Sequence, residues 1–143
     1  MSQGVAITGM GIISAIGNNV AENFRSLVEG KKGITTISKI NTIHKDVIKV
    51  GEIGYTNSQL EHILGLTPDN NYSRTGLIGA IAAKEAVANA GIKDINAFKT
   101  GLISATSVGG MDMTEKYYYD YLEHETHRRY IASHHAGDST QKI

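Results

Sequence analysis

An α/β layered fold with a largely parallel sheet is predicted for this chain. Three observations carry the prediction. Residues 4–9 form a short, near-continuous apolar run, the pattern of a strand covered on both faces, and residues 100–106 read as another buried strand. Residues 20–29, 73–90 and 111–122 repeat their apolar side chains at helical spacing. The two kinds of segment alternate along the chain, which is the order of an α/β layer architecture.

The elements follow in order. Val5 and Ile7 lie in the first strand, and Gly9, Gly11, Ser14 and Gly17 punctuate the loop after it. Asn18 or Asn19 caps the next helix by accepting from free N–H groups of its first turn. Phe24, Leu27 and Val28 fall at i, i+3, i+4 and are expected to form its buried stripe, with Gly30 as a left-handed cap. Residues 33–46 read as an irregular surface excursion. Residues 47–53 alternate as a strand near a sheet edge. Residues 57–64 make a short helix closed by Gly65 and by Pro68, the single proline. Ser73 caps the long helix 73–90, whose stripe includes Leu77, Ile81, Glu85 and Ala88, and Gly91 ends it. Gly76, Gly79, Ala80, Ala83 and Ala86 leave one side of it very small, as close packing on a sheet requires. A tight turn at Ser107-Val108-Gly109-Gly110 leads from the third strand into helix 111–122, with Met111, Glu115, Tyr118 and Leu122 in one row and Met113, Tyr117 and Tyr121 in the next. Residues 124–135 are polar and histidine-rich. From Asp138 the pattern reads as a cap and one helical turn. One turn is costly to nucleate, and three strands make a thin sheet, so the 143 residues are expected to be part of a larger domain.

Composition narrows the function. The chain is 41% hydrophobic and 20% charged, which suits a globular protein. Lys plus Arg equals Asp plus Glu, at 14 each, so there is no electrostatic footprint for nucleic acid or an anionic membrane. No apolar run is long enough to span a bilayer, the N-terminus lacks the basic lead of a signal peptide, and a cytoplasmic location is expected. Cysteine is absent, which excludes disulfides and any thiolate chemistry carried by these residues.

Several constellations invite a functional reading. A dinucleotide fingerprint needs G-x-G-x-x-G between strand and helix. Gly9 and Gly11 are present, but Ser14 stands in the third place, and the helix begins too late to face a pyrophosphate. A Rossmann-like nucleotide-binding domain therefore stands only as an alternative. His124 and His127 with His134 and His135 offer imidazoles for zinc, yet two adjacent histidines point apart and there is no His-Glu-x-x-His order. Solvated or interface histidines are the expectation, with no metal site and no cofactor. Tyr117, Tyr118, Tyr119 and Tyr121 lack the basic surroundings of a base-stacking platform, which leaves helix packing or an interface.

Taken together, the residues resemble the opening of an elongating β-ketoacyl-acyl carrier protein synthase of the thiolase-like superfamily. Val5-Ala6-Ile7-Thr8-Gly9-Met10-Gly11, with Ser14 through Gly17-Asn18, is similar to that family's first strand and loop. Residues 24–34 resemble its first helix and small-residue exit, and residues 82–92 its second long helix. Ser107-Val108-Gly109-Gly110-Met111 resembles the turn into a helical excursion, and Ala136-Gly137 the start of the helix before the nucleophile strand. The resemblance implies a thiolase-like layered fold, here as an incomplete N-terminal half: residues 1–143 as part of one β-ketoacyl synthase domain, truncated before the nucleophile. It implies decarboxylative Claisen condensation of acyl and malonyl thioesters in fatty-acid or polyketide-type synthesis, an acyl carrier protein as partner, and a homodimer. The family's catalytic cysteine and histidines match no residue here, so no catalytic residue is carried over and the chain alone is expected to be inactive. Ser107, Val108, Gly109 and Gly110 match a segment that lines the acyl pocket, with Val108 at its apolar gate-like position. A non-catalytic partner resembling the chain-length factor of heterodimeric synthases, which lacks the cysteine, is the other family-based alternative.

Overall fold

The computed structural model describes residues 4–106 and 108–133. It comprises helices α1 (Val20–Val28), α2 (Asn57–Leu64), α3 (Arg74–Asn89), α4 (Met111–Glu123) and α5 (Arg129–Ser133), strands β1 (Ile34–Thr36) and β2 (Lys49–Gly51), and a 3-10 turn at Ile95–Ala97. Two compact units are present. The first holds residues up to 56 together with 81–94, and the second holds 57–80 with the residues from 95 onward. Helix α3 therefore lends its first turns to the second unit and the rest to the first.

In the first unit, α1 is set by hydrogen bonds at its start. Asn19 caps it, accepting from the Glu22 N–H at 2.8 Å, while the Glu22 carboxylate accepts from the Asn18 N–H at 2.8 Å. The first bond satisfies a donor that the first turn leaves without a partner, and the second ties the residue before the cap back to the helix. The helix closes on Gly30 at φ +65°, with the Lys31 N–H reaching back to the Ser26 carbonyl, and glycine takes that left-handed backbone without a Cβ clash. Gly65 after α2 and Gly91 after α3 close their helices in the same way.

The buried face of α1 is not the apolar stripe. Asn23 and Ser26 are its buried residues, while Phe24, Leu27 and Val28 are about 70% exposed. The reason is polar. Ser26 Oγ donates to the Ile16 carbonyl at 2.6 Å, Ser14 Oγ donates to Asn23 Oδ1, and Asn23 Nδ2 donates to the Asn19 carbonyl at 2.8 Å. Those bonds turn the Asn23–Ser26 face onto loop 14–19 and point the apolar face outward.

The segment just before that loop, residues 9–12, lies on the C-terminal half of α3. A Cβ on Gly11 would occupy the space of the Ala82 carbonyl oxygen and come within 2.7 Å of the Ala86 nitrogen, and one on Gly9 would meet Ala86 and Ala90. Ala82, Ala86 and Ala90 thus admit a backbone at close range; Ala86 belongs to the small side expected to pack on a sheet, and the segment received here is extended and not laddered. Two side chains on α3 fasten that segment. Asn89 Oδ1 accepts from Met10 N–H at 3.1 Å, and the Glu85 carboxylate accepts from both Ile12 N–H (2.9 Å) and Val20 N–H (2.8 Å).

The sheet corrects the prediction most. Among the described residues the only ladder is antiparallel, β1 against β2, pairing Ile34 with Gly51, Thr35 with Val50 and Thr36 with Lys49. The edge strand expected at 47–53 shortens to 49–51, and the excursion expected to be irregular contains its partner. Residues 4–9 and 100–106 are not laddered, and Val5, Ile7 and Ile103 are at least 85% exposed. A continuous apolar run predicts that a segment should be covered, but a ladder also needs a neighbouring strand, and no described residue supplies one.

In the second unit the core is Leu60 of α2, Leu77 and Ala80 of α3, and Met113 and Tyr117 of α4. Of the two rows on α4, the one with Met113 and Tyr117 is therefore the buried row. Ser73 caps α3 as expected, its Oγ accepting from Gly76 N–H at 3.2 Å. Helix α5 lies inside the segment read only as polar. The cap and turn expected from Asp138 fall outside the described residues.

Candidate functional site

The segment expected to line an acyl pocket is the turn between residues 100–106 and α4. Gly110 stands at the N-cap of α4 in the left-handed region (φ 79°, ψ 7°), and its carbonyl accepts from Met113 and Thr114 N–H at 3.0 and 3.1 Å. A Cβ on Gly109 would sit 3.3 Å from Thr75 Cγ2 and 3.4 Å from Thr106 Oγ1, so the turn lies tightly against the first turn of α3. Asp112 completes the junction by accepting from the Arg74 N–H at 2.8 Å. Val108 is 71% exposed, and Ser107 lies outside the described residues. Gly109 and Gly110 thus sit close against α3 and at the start of α4, and Val108 is exposed on the turn.

Beside this junction the second unit has a polar hollow of about 340 Å³, lined among others by Asn57, Glu61, Asp69, Tyr72, Asp112 and Tyr117. None of these was singled out for it by sequence, because they come from three separate stretches. The Tyr117 hydroxyl accepts from Arg129 Nη1 at 3.3 Å, and Lys116 Nζ lies 4.9 Å from its ring centroid. Lys116 first, and Arg129 after it, hold the Tyr117 phenol below its ordinary range, while Tyr117 chiefly raises Arg129. The lining has carboxylates, amides and one ammonium but neither thiol nor imidazole.

The histidines separate. His134 and His135 lie outside the described residues. His124 and His127 come together at the C-terminal end of α4, where their rings stack at 4.7 Å. Between them stands Asp120, which sequence reasoning passed over although it precedes His124 by one helical turn. Its Oδ1 lies 3.0 Å from His127 Nδ1 and 3.5 Å from His124 Nδ1. The His127 hydrogen bond, above all, holds the Asp120 carboxyl below the usual carboxylate range.

Three backbone donors around the glycine loop are already engaged within the chain. The N–H groups of Met10, Ile12 and Val20 are taken by Asn89 and Glu85, and the carboxylate of Glu85 occupies the place at the start of α1 that an anion would need. Gly9 and Gly11 are explained by packing on α3.

Comparison with known proteins defines the class. The family described as "Beta-ketoacyl synthase, N-terminal domain" matches residues 2–140, and the chain belongs to that family. Among individual proteins it is similar to 3-oxoacyl-[acyl-carrier-protein] synthase 2 of Staphylococcus aureus (strain N315), 34% identical over 113 residues that make up 78% of this chain and 27% of the relative. The enzyme of the same name from strain COL is 34% identical over 114 residues. That from Coxiella burnetii (strain RSA 493 / Nine Mile phase I) is 27% identical over 116 residues, covering 80% of this chain and 28% of the relative. The chain thus spans little more than a quarter of the length of these relatives. Among the described residues no helix is long and apolar enough to cross a membrane.

Proposed function

We propose that these residues are the N-terminal part of a 3-oxoacyl-acyl carrier protein synthase whose reacting groups lie in sequence beyond them. The single observation that carries the reading is the family match across residues 2–140. The named relatives, each matched over about a quarter of its length, support it.

In this reading the whole protein takes an acyl group from a carrier-protein thioester onto a cysteine thiolate. Decarboxylation of a malonyl thioester then supplies the carbanion. The new carbon–carbon bond forms at the acyl carbonyl, the cysteine thiolate leaves, and carbon dioxide is released. No thiol is available here, since cysteine is absent from all 143 residues. The part played by this chain is architectural: the closely packed turn at Gly109 and Gly110 carries the exposed Val108, and we assign Ser107, Val108, Gly109 and Gly110 to a wall of the acyl pocket. Glycines let the backbone approach a ligand, and a β-branched side chain makes a stiff apolar surface. The thiolase-like layering, a homodimer, the acyl carrier protein partner and a cytoplasmic setting belong to the same proposal.

The exposed apolar groups support it. Val5, Ile7, Phe24, Leu27, Val28 and Ile103 form faces that water penalises. We assign their cover to the remainder of the parent protein, with residues 4–9 and 100–106 as strands of its sheet. An acyl-transfer assay with radiolabelled acyl-carrier protein tests the division of labour. The 143-residue chain should take no label, whereas the full reading frame should become acid-stably labelled and lose the label to hydroxylamine. Transfer by the short chain above background would refute the assignment.

A further inference from the structure

We propose that Asp120, His124 and His127 form a binding site for a divalent transition-metal ion, Zn²⁺ being the ion best matched. The inference is independent of the family assignment.

Their ligand atoms all lie within 4.8 Å of one another, and both imidazole Nδ1 atoms approach the same carboxylate oxygen, at 3.0 and 3.5 Å. Zinc bonds of about 2.0–2.2 Å to nitrogen and oxygen place neighbouring ligands of a tetrahedral site roughly 3.4 Å apart. Both histidines thus already stand near coordination spacing from Asp120. Local folding explains the convergence. Asp120 and His124 are one turn apart on α4, and a turn closed by His127 N–H to the His124 carbonyl at 2.8 Å brings the third ligand back. The rings stack with only 20° between their planes. The three side chains are about half exposed, so a cation can enter from solvent, and closing the site exchanges the ring stack and the His127–Asp120 hydrogen bond for metal–ligand bonds.

Chemistry selects the ion. Two imidazole nitrogens and one carboxylate oxygen suit zinc, cobalt or nickel, whereas calcium and magnesium need all-oxygen shells. Position favours a cation as well, because Asp120 adds negative charge to the last turn of a helix, where the backbone carbonyls are already partly negative. Three protein ligands leave a fourth position open. A bound ion would clip the end of α4 to the turn that leads into α5.

The test uses the 143-residue chain with Co²⁺ as probe and Zn²⁺ as competitor. One equivalent of Co²⁺ should give visible d–d absorption that Zn²⁺ abolishes. His127→Ala and Asp120→Asn should each weaken binding by about tenfold or more, since loss of even a supporting partner of a ligand costs that much. His62→Ala should leave binding unchanged. Nitrogen-15 spectra of the unaltered protein with labelled histidine give a readout that needs no variant: Zn²⁺ should shift Nδ1 of two of the six imidazoles. The proposal is overturned if Zn²⁺ at micromolar concentration shifts no pair, if binding survives in both ligand variants, or if replacing His134 and His135 by alanine abolishes it instead.

Discussion

Replacing Glu85 by glutamine should loosen both ends of the glycine loop. The wild-type carboxylate accepts from Ile12 N–H at 2.9 Å with one oxygen and from Val20 N–H at 2.8 Å with the other. An amide has one acceptor oxygen, so its NH₂ group must face one of the two backbone donors. Each bond to the charged group contributes about 1.5–3 kcal/mol against about 0.5–1.5 for a neutral acceptor, and the opposed donor adds a desolvation cost of about 1–3 kcal/mol. Ile12 is 43% exposed, so water can relieve that donor and the low end of the range applies. The expected loss is about 2 kcal/mol, or roughly a 30-fold rise in the open population. Amide hydrogen exchange reads this directly. Ile12 and Val20 should exchange about 30-fold faster in Glu85→Gln, while the Leu77 amide in the second unit, bonded to the Ser73 carbonyl, stays within about twofold. Unchanged exchange at Ile12 and Val20 would refute the claim that Glu85 is the tie between α3 and the loop.

Other outcomes follow from the same contacts. Gly11→Ala forces a methyl into the Ala82 carbonyl and should lower stability in urea by about 2 kcal/mol or more, whereas Gly4→Ala, with open space around it, should be neutral. The bare apolar face of α1 should make the isolated chain self-associate, and Phe24→Glu with Leu27→Glu should move its light-scattering mass toward the monomer. Glu52 accepts from the Lys39 N–H, the Ser38 hydroxyl and the Ser38 N–H, at 2.7–2.9 Å, and these bonds hold its carboxyl below the ordinary range. A folded-state value below the unfolded one stabilises above the ordinary carboxylate pKa, and the effect disappears as pH falls through the lowered value. Protection of the Ser38 and Lys39 amides should therefore be flat above pH 5 and collapse in strong acid, and Glu52→Gln should remove that dependence.

Local chemistry was the legible part of the sequence. The caps at Asn19 and Ser73 and the glycine ends at Gly30, Gly65 and Gly91 depend on neighbours a few residues away, and they stand where their residue types predict. The ladder was not legible, because an apolar run declares burial without naming the strand that provides it. Periodicity placed Phe24, Leu27 and Val28 on one face of α1 but was silent on the polar bonds that turn the opposite face inward. Glu85 read as one more position in a helical stripe; its partners are 65 and 73 residues away in sequence. Asp120 was one helical turn from a histidine already under scrutiny, a signal that spacing alone offered.

As proposed above, these residues are the front portion of a condensing enzyme that carries its thiolate elsewhere in the sequence. Intact-mass and tryptic analysis of the native polypeptide, purified from cells after acyl labelling, decides the matter. The expected result is a polypeptide several times longer than 143 residues, with the acyl group on a cysteine C-terminal to Ile143. A native product that stops at Ile143 and runs as a stable soluble species would contradict it.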